Sequence, residues 1–368
     1  MKKKILHIVE SFGSGVFSFL VDLVNGTYED FEIAIAYGVR EETLENFKDY
    51  FDSNIKFIKV ENFTRSINPK KDLKALKEIK KIVKEVKPDI VHLHSSKAGV
   101  LGRLAVNGNK IKMFYNPHGF SFLKQDDSKA KRTIYWLIEK ITAIWNKKCT
   151  IVGCSKGEYE EAKKLNKNSI CINNGIDVEK LDKETAGFKE KEIDFDNLKI
   201  CTVGRIGYQK NPDMFNKIAE SFPNLQFTWI GDGDLKDKLT SSNITITGWK
   251  SREEVLKILN EQDVFILCSL WEGLPISLLE AMYMKKICIV SDCIGNRDVI
   301  VDGENGVIAK SLENYIYNID RTSKEKIKYI KTYEYVKEKF SIKKMLYKYM
   351  EEYTKGDCNE NRECSYSK

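Results

Sequence analysis

Two glutamates stand alone in an apolar stretch of the second half of the chain. Between Asp263 and Lys285, the only charged side chains are Glu272 and Glu280. A carboxylate that is buried without a partner costs on the order of several kcal/mol, so both need hydrogen-bond donors. The hydroxyl groups of a sugar and of a ribose would satisfy both carboxylates. The alternative is that Glu280 pairs with a basic residue elsewhere in the core.

The segment around Glu272 has the pattern of a strand, a turn and a helix. Glu272 lies in the predicted turn, and Glu280 lies in the second turn of the helix that Leu274 and Pro275 open. Proline is tolerated in the first turn of a helix, where its missing N–H would have no intrahelical acceptor. Free amides at a helix start bind phosphate oxygens, and those of Gly273 and Leu274 are the candidates here.

A second loop carries two cations. Gly204 and Arg205 follow the predicted strand Leu198–Val203, and Lys210 precedes a helix that starts near Pro212. A leaving diphosphate gains charge as the bond to it breaks, and a guanidinium and an ammonium fixed at that point would lower the barrier. The alternative is a solvated surface loop, since isolated arginines and lysines usually lie on the surface.

The pattern of these two segments resembles a known family. Glu272 is followed by Gly-Leu-Pro, seven residues separate it from Glu280, and Glu280 stands in Leu-Leu-Glu-Ala. This resembles the signature of retaining glycosyltransferases of the GT-B fold, glycosyltransferase family 4, in which Gly204-Arg205 and Lys210 also have the family's spacing. The resemblance implies that Glu272 contacts the donor sugar, Glu280 the nucleotide ribose, and Arg205 and Lys210 the diphosphate.

Three further positions take their roles from the same resemblance. Trp249 ends a strand where the family places the nucleotide base; the alternative is a core tryptophan. His118 follows another strand, where the family's histidine lines the donor sugar near the reacting carbon; the alternative is a structural histidine. Gly15 lies in a glycine loop before a helix from Val16, suited to close approach of phosphate or acceptor. Ser18 replaces the third glycine of a dinucleotide fingerprint, which argues against a nicotinamide enzyme.

Two more histidines lie on one predicted strand. His92 lies in the predicted strand Asp89–Leu93, and His94 directly follows that strand. Residues two apart in a strand share a face, so both side chains point to one face. Two histidines at this spacing could bind a metal, but the sequence shows no third ligand. The sequence instead favours a position of these histidines in the core and at the rim of a cleft. We therefore predict no essential metal, and no cofactor besides the nucleotide-sugar donor, which is a substrate.

Predicted strands and helices alternate from end to end, as in βα units with a parallel sheet. The first series of strands is Lys4–Val9, Glu32–Tyr37, Ile55–Val60, Asp89–Leu93, Ile111–Tyr115 and Cys149–Gly153. The second series is Leu198–Val203, Gln226–Ile230, Ile244–Thr247, Val264–Cys268 and Ile287–Ser291. The charged stretch between them predicts a link. We expect an α/β protein of the GT-B fold, with two Rossmann-like domains facing across a cleft, each binding ligands beyond the carboxyl ends of its strands.

The predicted domains follow from this division. Residues 1–185 form an N-terminal, acceptor-side domain, and residues 186–339 form the domain that binds the nucleotide-sugar. A C-terminal helix at 340–355 is predicted to cross back and pack on the first domain, and residues 356–368 form a polar tail.

Composition limits the class of protein. The chain has 368 residues, of which 42% are hydrophobic, and its net charge is +7; this length predicts two domains. Its nine cysteines include no CxxC pair, which predicts reduced thiols and a cytoplasmic location. No signal peptide and no membrane span are predicted. The charge permits an acidic partner such as a nucleotide or an anionic membrane face. Nucleic acid is not expected, because basic residues alternate with acidic ones and no recognition module is present.

Residues 131–148 bear on the acceptor. Apolar side chains lie on several faces of this predicted helix and basic residues at both ends, which indicates either deep burial or contact with a lipid surface. Contact would place the protein peripherally on the inner face of the plasma membrane.

The resemblance to family 4 implies a retaining transferase that moves a sugar from a nucleotide-sugar, most commonly a UDP-sugar, to a saccharide or lipid-linked acceptor. The pathway would be bacterial surface polysaccharide, capsule or glycolipid assembly. Two alternatives remain: a sugar-nucleotide epimerase on the same fold, and a catalytically silent partner subunit.

Overall fold

The chain folds into two compact units. The computed structural model describes residues 2–10, 12–40, 43–64, 66–189, 191–329 and 332–356. Unit 1 comprises the residues up to Leu123, Ser128–Asn174 and the residues from Ile342 onwards. Unit 2 comprises Lys124–Asp127 and Gly175–Ser341. The predicted polar tail, from residue 357 on, lies outside the described residues.

Unit 1 contains a seven-stranded parallel sheet with strand order β3-β2-β1-β4-β5-β6-β7. Its strands are β1 (Lys3–Val9), β2 (Phe31–Tyr37), β3 (Lys56–Lys59), β4 (Ile90–His94), β5 (Lys112–Asn116), β6 (Thr150–Gly153) and β7 (Ser169–Cys171). The strand order reverses between β1 and β4. Ligands of open α/β sheets bind beyond the carboxyl ends of the strands at such a point.

Unit 2 contains a six-stranded parallel sheet with strand order β10-β9-β8-β11-β12-β13. Its strands are β8 (Lys199–Val203), β9 (Gln226–Ile230), β10 (Ile244–Ile246), β11 (Val264–Leu267), β12 (Ile287–Ser291) and β13 (Val307–Ala309). Here the strand order reverses between β8 and β11. Both sheets are therefore parallel, and each has one point at which the strand order reverses.

Helices connect the strands in both units. In chain order they are α1 (Ser14–Asn25), α2 (Pro69–Val86), α3 (Ser96–Ala105), α4 (Lys129–Trp145), α5 (Lys156–Leu165), α6 (Val178–Thr185), α7 (Pro212–Glu220), α8 (Arg252–Asn260), α9 (Ile276–Tyr283), α10 (Asn296–Val299), α11 (Leu312–Glu325), α12 (Thr332–Lys339) and α13 (Ile342–Thr354). Short 3-10 turns occur at Phe47–Tyr50, Ser121–Leu123, Tyr208–Lys210 and Lys236–Lys238. Within the described residues, no helix combines the length and apolarity needed to cross a membrane.

Local sequence explains where these elements begin and why the strands are buried. The Asn68 side chain accepts a hydrogen bond from the Lys71 amide at the start of α2, and Ser251 and Glu254 form a capping box on α8. Strands β4 and β11 are buried along their whole length, as expected for parallel strands covered on both faces. Strand β4 nevertheless carries two histidines, so the core around this strand includes polar groups that need hydrogen-bond partners.

The prediction of two parallel, Rossmann-like sheets is confirmed. Every strand predicted from the sequence is present, with ends that differ by at most one residue. Two strands were missed, β7 and β13. Each has three residues and lies at an edge of its sheet. Such short strands have too few residues for a period to be read from the sequence.

The units divide the chain at a different place from the predicted boundary at 185/186, which falls inside unit 2. Helix α6 groups with unit 2, where the Tyr283 hydroxyl donates to the Asp182 carboxylate at 2.6 Å. Helix α13 belongs to unit 1, where Ile342, Met345 and Tyr349 are buried in the core. The seven cysteines among the described residues are free thiols.

Candidate active site

The reversal point of unit 2 brings a carboxylate and an ammonium together. Lys210 follows β8 and Glu272 follows β11, and these strands are hydrogen-bonded neighbours. Lys210 Nζ donates to Glu272 Oε1 at 2.7 Å, and Gln209 Nε2 donates to Glu272 Oε2 at 3.3 Å. Glu272 is only 8% exposed. Glu272 and Lys210, two residues predicted for the site, are therefore in direct contact.

Two glycines allow the loop after β8 to lie close to its neighbours. Gly204 has φ of +141° and Gly231 has φ of +143°, a region that side chains rarely adopt. A Cβ on Gly204 would lie 3.0 Å from Lys210 Cε, and one on Gly231 would lie 2.2 Å from the Gly204 carbonyl oxygen. Trp229 Nε1 also donates to that oxygen at 2.8 Å. The predicted site residue Gly204 thus makes room for the Lys210 side chain.

Arg205 lies on the same loop but has a different partner. Its Nη2 atom forms an ion pair of 2.7 Å with Asp234, which follows β9. Both side chains are exposed, so this pair contributes at most about 1 kcal/mol. The solvated-loop alternative therefore describes Arg205 well, whereas Lys210 is mostly buried. Of the two predicted cations, only Lys210 is held by Glu272.

Glu280 is paired with an arginine in the structure. Arg252 Nη1 donates to Glu280 Oε1 at 2.6 Å, and Arg252 Nε donates to Glu184 at 3.2 Å. Glu280 is 6% exposed, whereas Arg252 is half-exposed. The basic partner of the alternative interpretation therefore exists, but it comes from the start of α8 at the surface. Among the described residues, no group donates to Oε2 of Glu280.

The turn after Glu272 leads into α9, which begins at Ile276, so Pro275 occupies the cap and lies outside the helix. Within the described part of the chain, no group accepts a hydrogen bond from the amides of Gly273 and Leu274. Gly295, with φ of +75°, packs against this turn, and a Cβ on it would lie 2.6 Å from the Gly273 carbonyl oxygen. The two amides therefore have no partner among the described residues, and a role in binding phosphate stays a prediction.

Two weaker candidates differ in their surroundings. Trp249 is 67% exposed, so the interpretation as a core tryptophan is wrong. Gly15 is exposed in the first turn of α1, after the cap residue Gly13, and nothing lies within 4 Å of a Cβ built on it. No steric reason therefore requires glycine at position 15. Ser11, the first residue of the predicted loop, lies outside the described residues.

All four histidines of the chain lie together in unit 1. His7 Nδ1 and His94 Nε2 are 3.0 Å apart, and His94 Nδ1 and His118 Nε2 are 3.2 Å apart. His92 bonds Asn116 Oδ1 through Nε2 and the Tyr353 hydroxyl through Nδ1, each at 2.6 Å. The sequence missed His7 as a member of this cluster.

Strand register explains this cluster. His7 on β1 pairs with His92 on β4, and His94 pairs with Asn116 on β5. Burial lowers the pKa of His92 from 6.5 to about 4, and burial together with His92 lowers the pKa of the partly exposed His118 to about 3. Burial also lowers the pKa of His7 and His94 well below the usual value. The histidines are therefore neutral at neutral pH.

His7 supplies the third possible metal ligand that the sequence did not show. One ligand atom from each of His7, His92 and His94 lies within 4.8 Å of the others. However, both ring nitrogens of His92 and of His94 already take part in hydrogen bonds. Hydrogen bonding between neutral rings therefore accounts for the close approach of these nitrogens.

Family models match both halves of the chain. The model described as "Glycosyl transferases group 1" matches residues 183–339. The model described as "Glycosyl transferase 4-like" matches residues 27–148. The first match contains Gly204, Lys210, Glu272 and Glu280.

Several characterised proteins are similar in sequence. The UDP-Gal:alpha-D-GlcNAc-diphosphoundecaprenol alpha-1,3-galactosyltransferase of Escherichia coli is 32% identical over 307 residues, which are 76% of this chain and 78% of that protein. The N,N'-diacetylbacillosaminyl-diphospho-undecaprenol alpha-1,3-N-acetylgalactosaminyltransferase of Campylobacter jejuni is 23% identical over 322 residues, 81% of this chain and 83% of that protein.

Solved structures show the same fold at lower identity. The sucrose-phosphate synthase of Thermosynechococcus elongatus is 14% identical, with a TM-score of 0.77 over 96% of this chain and 98% of that chain. The lipopolysaccharide outer core galactosyltransferase WaaB is 19% identical, with a TM-score of 0.69 over 95% of this chain and 98% of that chain. The fold is thus the GT-B fold, and the chain is a glycosyltransferase that belongs to the glycosyl transferases group 1 family.

Proposed function

We propose that this glycosyltransferase moves a sugar from a UDP-sugar to a lipid-linked saccharide, with retention of the anomeric configuration. The observation that carries the proposal is the pair of Lys210 and Glu272 at the reversal point of unit 2, 2.7 Å apart and mostly buried. An ammonium and a carboxylate in contact suit a donor whose diphosphate is anionic and whose sugar offers hydroxyl groups.

Each part of the donor has a partner in unit 2 under this proposal. Lys210, with Arg205, stabilises the charge that grows on the leaving diphosphate. Glu272 accepts hydrogen bonds from the sugar hydroxyls, and Glu280 accepts one from the ribose through its second oxygen. The exposed ring of Trp249 stacks on the base. The amides of Gly273 and Leu274 contact phosphate oxygens.

The names of relatives support the donor and the acceptor. The Escherichia coli relative is named for transfer from UDP-Gal to a diphosphoundecaprenol-linked sugar, and the Campylobacter jejuni relative for transfer to another diphospho-undecaprenol acceptor. Both names give an alpha linkage. Transfer from an α-linked nucleotide-sugar into an α linkage is retention. We propose same-face attack, in which the acceptor hydroxyl gives its proton to a phosphate oxygen as the donor bond breaks. No side chain is assigned as a covalent nucleophile.

Two measurements test this function. A thermal-shift screen with UDP-, GDP- and ADP-sugars should show stabilisation by UDP-sugars first, by about 2.7 kcal/mol at 100 times the dissociation constant. Incubation of the best donor with a diphosphoundecaprenol-linked sugar should then give an α-linked product. Epimerised donor in the absence of acceptor would support the epimerase, and binding without transfer would support a silent partner. The proposal assigns no metal, so a chelator should leave transfer unchanged.

We propose further that unit 1 contacts an anionic membrane surface through α4. Five apolar side chains are exposed on this helix: Ile134, Leu137, Ile141, Ile144 and Trp145. They follow helical spacing, so they form one apolar stripe, which we call the α4 stripe. Trp136 packs against the core instead. Exposed apolar residues in such a row mark interaction surfaces.

Basic residues border the α4 stripe. A shallow groove beside it is lined by Leu104, Ile144 and Trp145 and by three lysines, Lys80, Lys147 and Lys148. Apolar side chains with lysines at the border suit a lipid surface that carries negative head groups. This contact would hold the enzyme at the inner face of the plasma membrane, where a lipid-linked acceptor is anchored.

A further inference from the structure

Three of the four histidines form a hydrogen-bonded chain that ends on His118. The links are His7 Nδ1 to His94 Nε2 at 3.0 Å and His94 Nδ1 to His118 Nε2 at 3.2 Å. A neutral imidazole has one N–H and one lone pair. His94 uses one nitrogen in each link, so its single proton can serve only one of them. The direction of the two links is therefore coupled.

Only two directions are open to this histidine chain. In the outward direction, His7 donates to His94 and His94 donates to His118 Nε2, so His118 carries its own proton on Nδ1. In the inward direction, His118 donates to His94 and His94 donates to His7. His118 Nδ1 then carries a lone pair, and His7 carries its proton on Nε2. The protonated nitrogen of His118 and the protonated nitrogen of His7 therefore always change together.

The buried end distinguishes the two directions. His7 Nε2 is buried and has no hydrogen-bond partner among the described residues. The inward direction would leave an N–H donor there, and the outward direction leaves a lone pair. Among buried backbone groups, an N–H without an acceptor is rarer than an acceptor without a donor. Applied to the imidazole, the same preference favours the outward direction.

The histidine chain is held firmly in place. His7 and His94 lie on neighbouring parallel strands, and the rings of His94 and His118 are within 18° of parallel with centroids 5.5 Å apart. The Phe19 ring packs edge-on against His118 at 4.6 Å. His118 has φ of +51°, a conformation that requires support from its surroundings. No described residue bonds His118 Nδ1, and part of the residue is exposed. The free nitrogen is therefore the one that a substrate can reach.

We infer that His94 and His7 are positioning residues, which hold His118 as its Nδ1–H tautomer, so that His118 meets its substrate as a hydrogen-bond donor. The inference rests on the proposed function in one respect, that the enzyme has a glycosyl substrate for His118 to contact, the role that the family resemblance implies for this residue. Its donor N–H would bind an oxygen of that substrate. His118 would not remove a proton from the acceptor hydroxyl, because its outward nitrogen has no free lone pair.

The tautomers can be measured without any activity assay. In the full chain labelled with ¹⁵N-histidine, imidazole nitrogen shifts distinguish protonated from unprotonated ring nitrogens, and four histidines can be assigned by single substitutions. Near neutral pH, we expect His118, His94 and His7 to be protonated on Nδ1. Protonation of His118 on Nε2 would overturn the inference.

Variants of His94 test the effect on transfer. His94→Phe removes both links, whereas His94→Asn places an amide N–H near the position of Nδ1 and retains a donor for His118. We expect His94→Phe to lower kcat by roughly 10- to 100-fold with little change in the KM for the donor. His94→Asn should recover most of kcat. Equal losses in both variants would show a merely structural role and would overturn the inference.

His92→Phe is the matched control, because His92 is equally buried on the same strand but lies outside the histidine chain. It should leave the His118 tautomer unchanged. Different results would refute the proposed function and the inference about the tautomer. Absence of transfer with any donor would refute the proposed function, while the spectra would still decide the tautomer. Transfer by an enzyme whose His118 carries its proton on Nε2 would refute the inference alone.

Discussion

The ammonium of Lys210 lies 2.7 Å from the carboxylate of Glu272, although the two residues follow different strands, β8 and β11. The pair is mostly buried, so each charge depends on the other. Removal of one partner of a buried pair leaves an uncompensated charge and costs about 3–5 kcal/mol. Under the proposed function, the pair therefore links the stability of unit 2 to donor binding.

Glu272→Gln should nearly abolish transfer. The amide keeps the shape of the carboxylate but accepts weaker hydrogen bonds from the sugar and leaves Lys210 without its counter-charge. We expect kcat to fall by at least roughly 100-fold, as when one preorganised polar group is lost from an active site. Initial rates with saturating donor measure this. Asp292→Asn, which changes the exposed pair with Arg297, is the control. Turnover within a few-fold of wild type for Glu272→Gln would contradict the assignment.

Gly204→Ala should disturb the loop that holds Lys210, whereas Gly207→Ala should not. Gly204 needs φ of +141°, and its Cβ would meet Lys210 Cε at 3.0 Å. Gly207 has an extended φ of −145° and nothing within 4 Å of a Cβ. Backbone strain of this kind costs about 1–3 kcal/mol. Urea denaturation and kcat/KM should both show a loss for Gly204→Ala only. Equal effects of the two substitutions would mean that Lys210 does not depend on this backbone.

Arg252→Met should weaken donor binding with little effect on the chemical step. Arg252 holds one oxygen of Glu280 at 2.6 Å, and the proposed function assigns the other oxygen to the ribose. Without it, Glu280 is free to rotate, so we expect the KM for the donor to rise about tenfold, equivalent to about 1.4 kcal/mol. kcat should change less. Arg297→Met, which removes a similarly exposed arginine from its ion pair with Asp292, is the control. A fall in kcat with constant KM would place Arg252 at the reacting centre instead.

The free energy of unfolding should decrease as the pH falls below about 6.5. The pKa of His92 is lowered by burial to about 4, and that of His118 to about 3 by burial and the charge of His92. Below pH 6.5 the unfolded chain therefore binds protons that the folded chain does not bind. Each histidine with a lowered pKa contributes a slope of at most about 1.4 kcal/mol per pH unit.

Urea denaturation between about pH 7 and pH 5 measures this slope, because most carboxylates of an unfolded chain titrate below that range. Lys286, whose pKa burial lowers to about 8, is charged in both states there and adds no slope. His92→Phe should reduce the slope. A stability that does not change between these pH values would show that the histidines are not held neutral.

Much of the fold and part of the site were predictable from the sequence. Alternating apolar strands and helices predicted both sheets, because buried parallel strands are continuous apolar runs. Glu272, Glu280 and Lys210 were predictable because each stands in a short segment with a recognisable pattern. The partners Gln209 and Arg252 were not, because their contacts join segments that the sequence does not relate.

His7 shows why the rest could not be predicted. Alternation along β4 places His92 and His94 on one face, but the position of His7 depends on how β1 and β4 align. Register between strands is set by tertiary packing, and a shift of one residue would turn His7 to the other face. The single histidine of β1 therefore carried no signal by itself, and the hydrogen-bonded histidine chain became visible only in three dimensions.

Binding to anionic vesicles should depend on the α4 stripe. Ile141 is 61% exposed and Trp145 is 72% exposed, so together they offer apolar surface to a bilayer. Full burial of one such side chain contributes about 1.5–3 kcal/mol. Ile141→Ser with Trp145→Ser should therefore weaken binding at least about tenfold. Co-sedimentation with phosphatidylglycerol vesicles measures this.

The control for this experiment is Trp249→Ser, which removes an equally exposed tryptophan from unit 2. Added salt should weaken binding of the wild-type chain, because lysines such as Lys147 and Lys148 border the stripe and their attraction to head groups is screened. Binding that is unchanged by the double substitution would show that α4 does not contact the bilayer. Equal loss in Trp249→Ser would show that exposed tryptophans in general, and not this helix, determine adsorption to the vesicles.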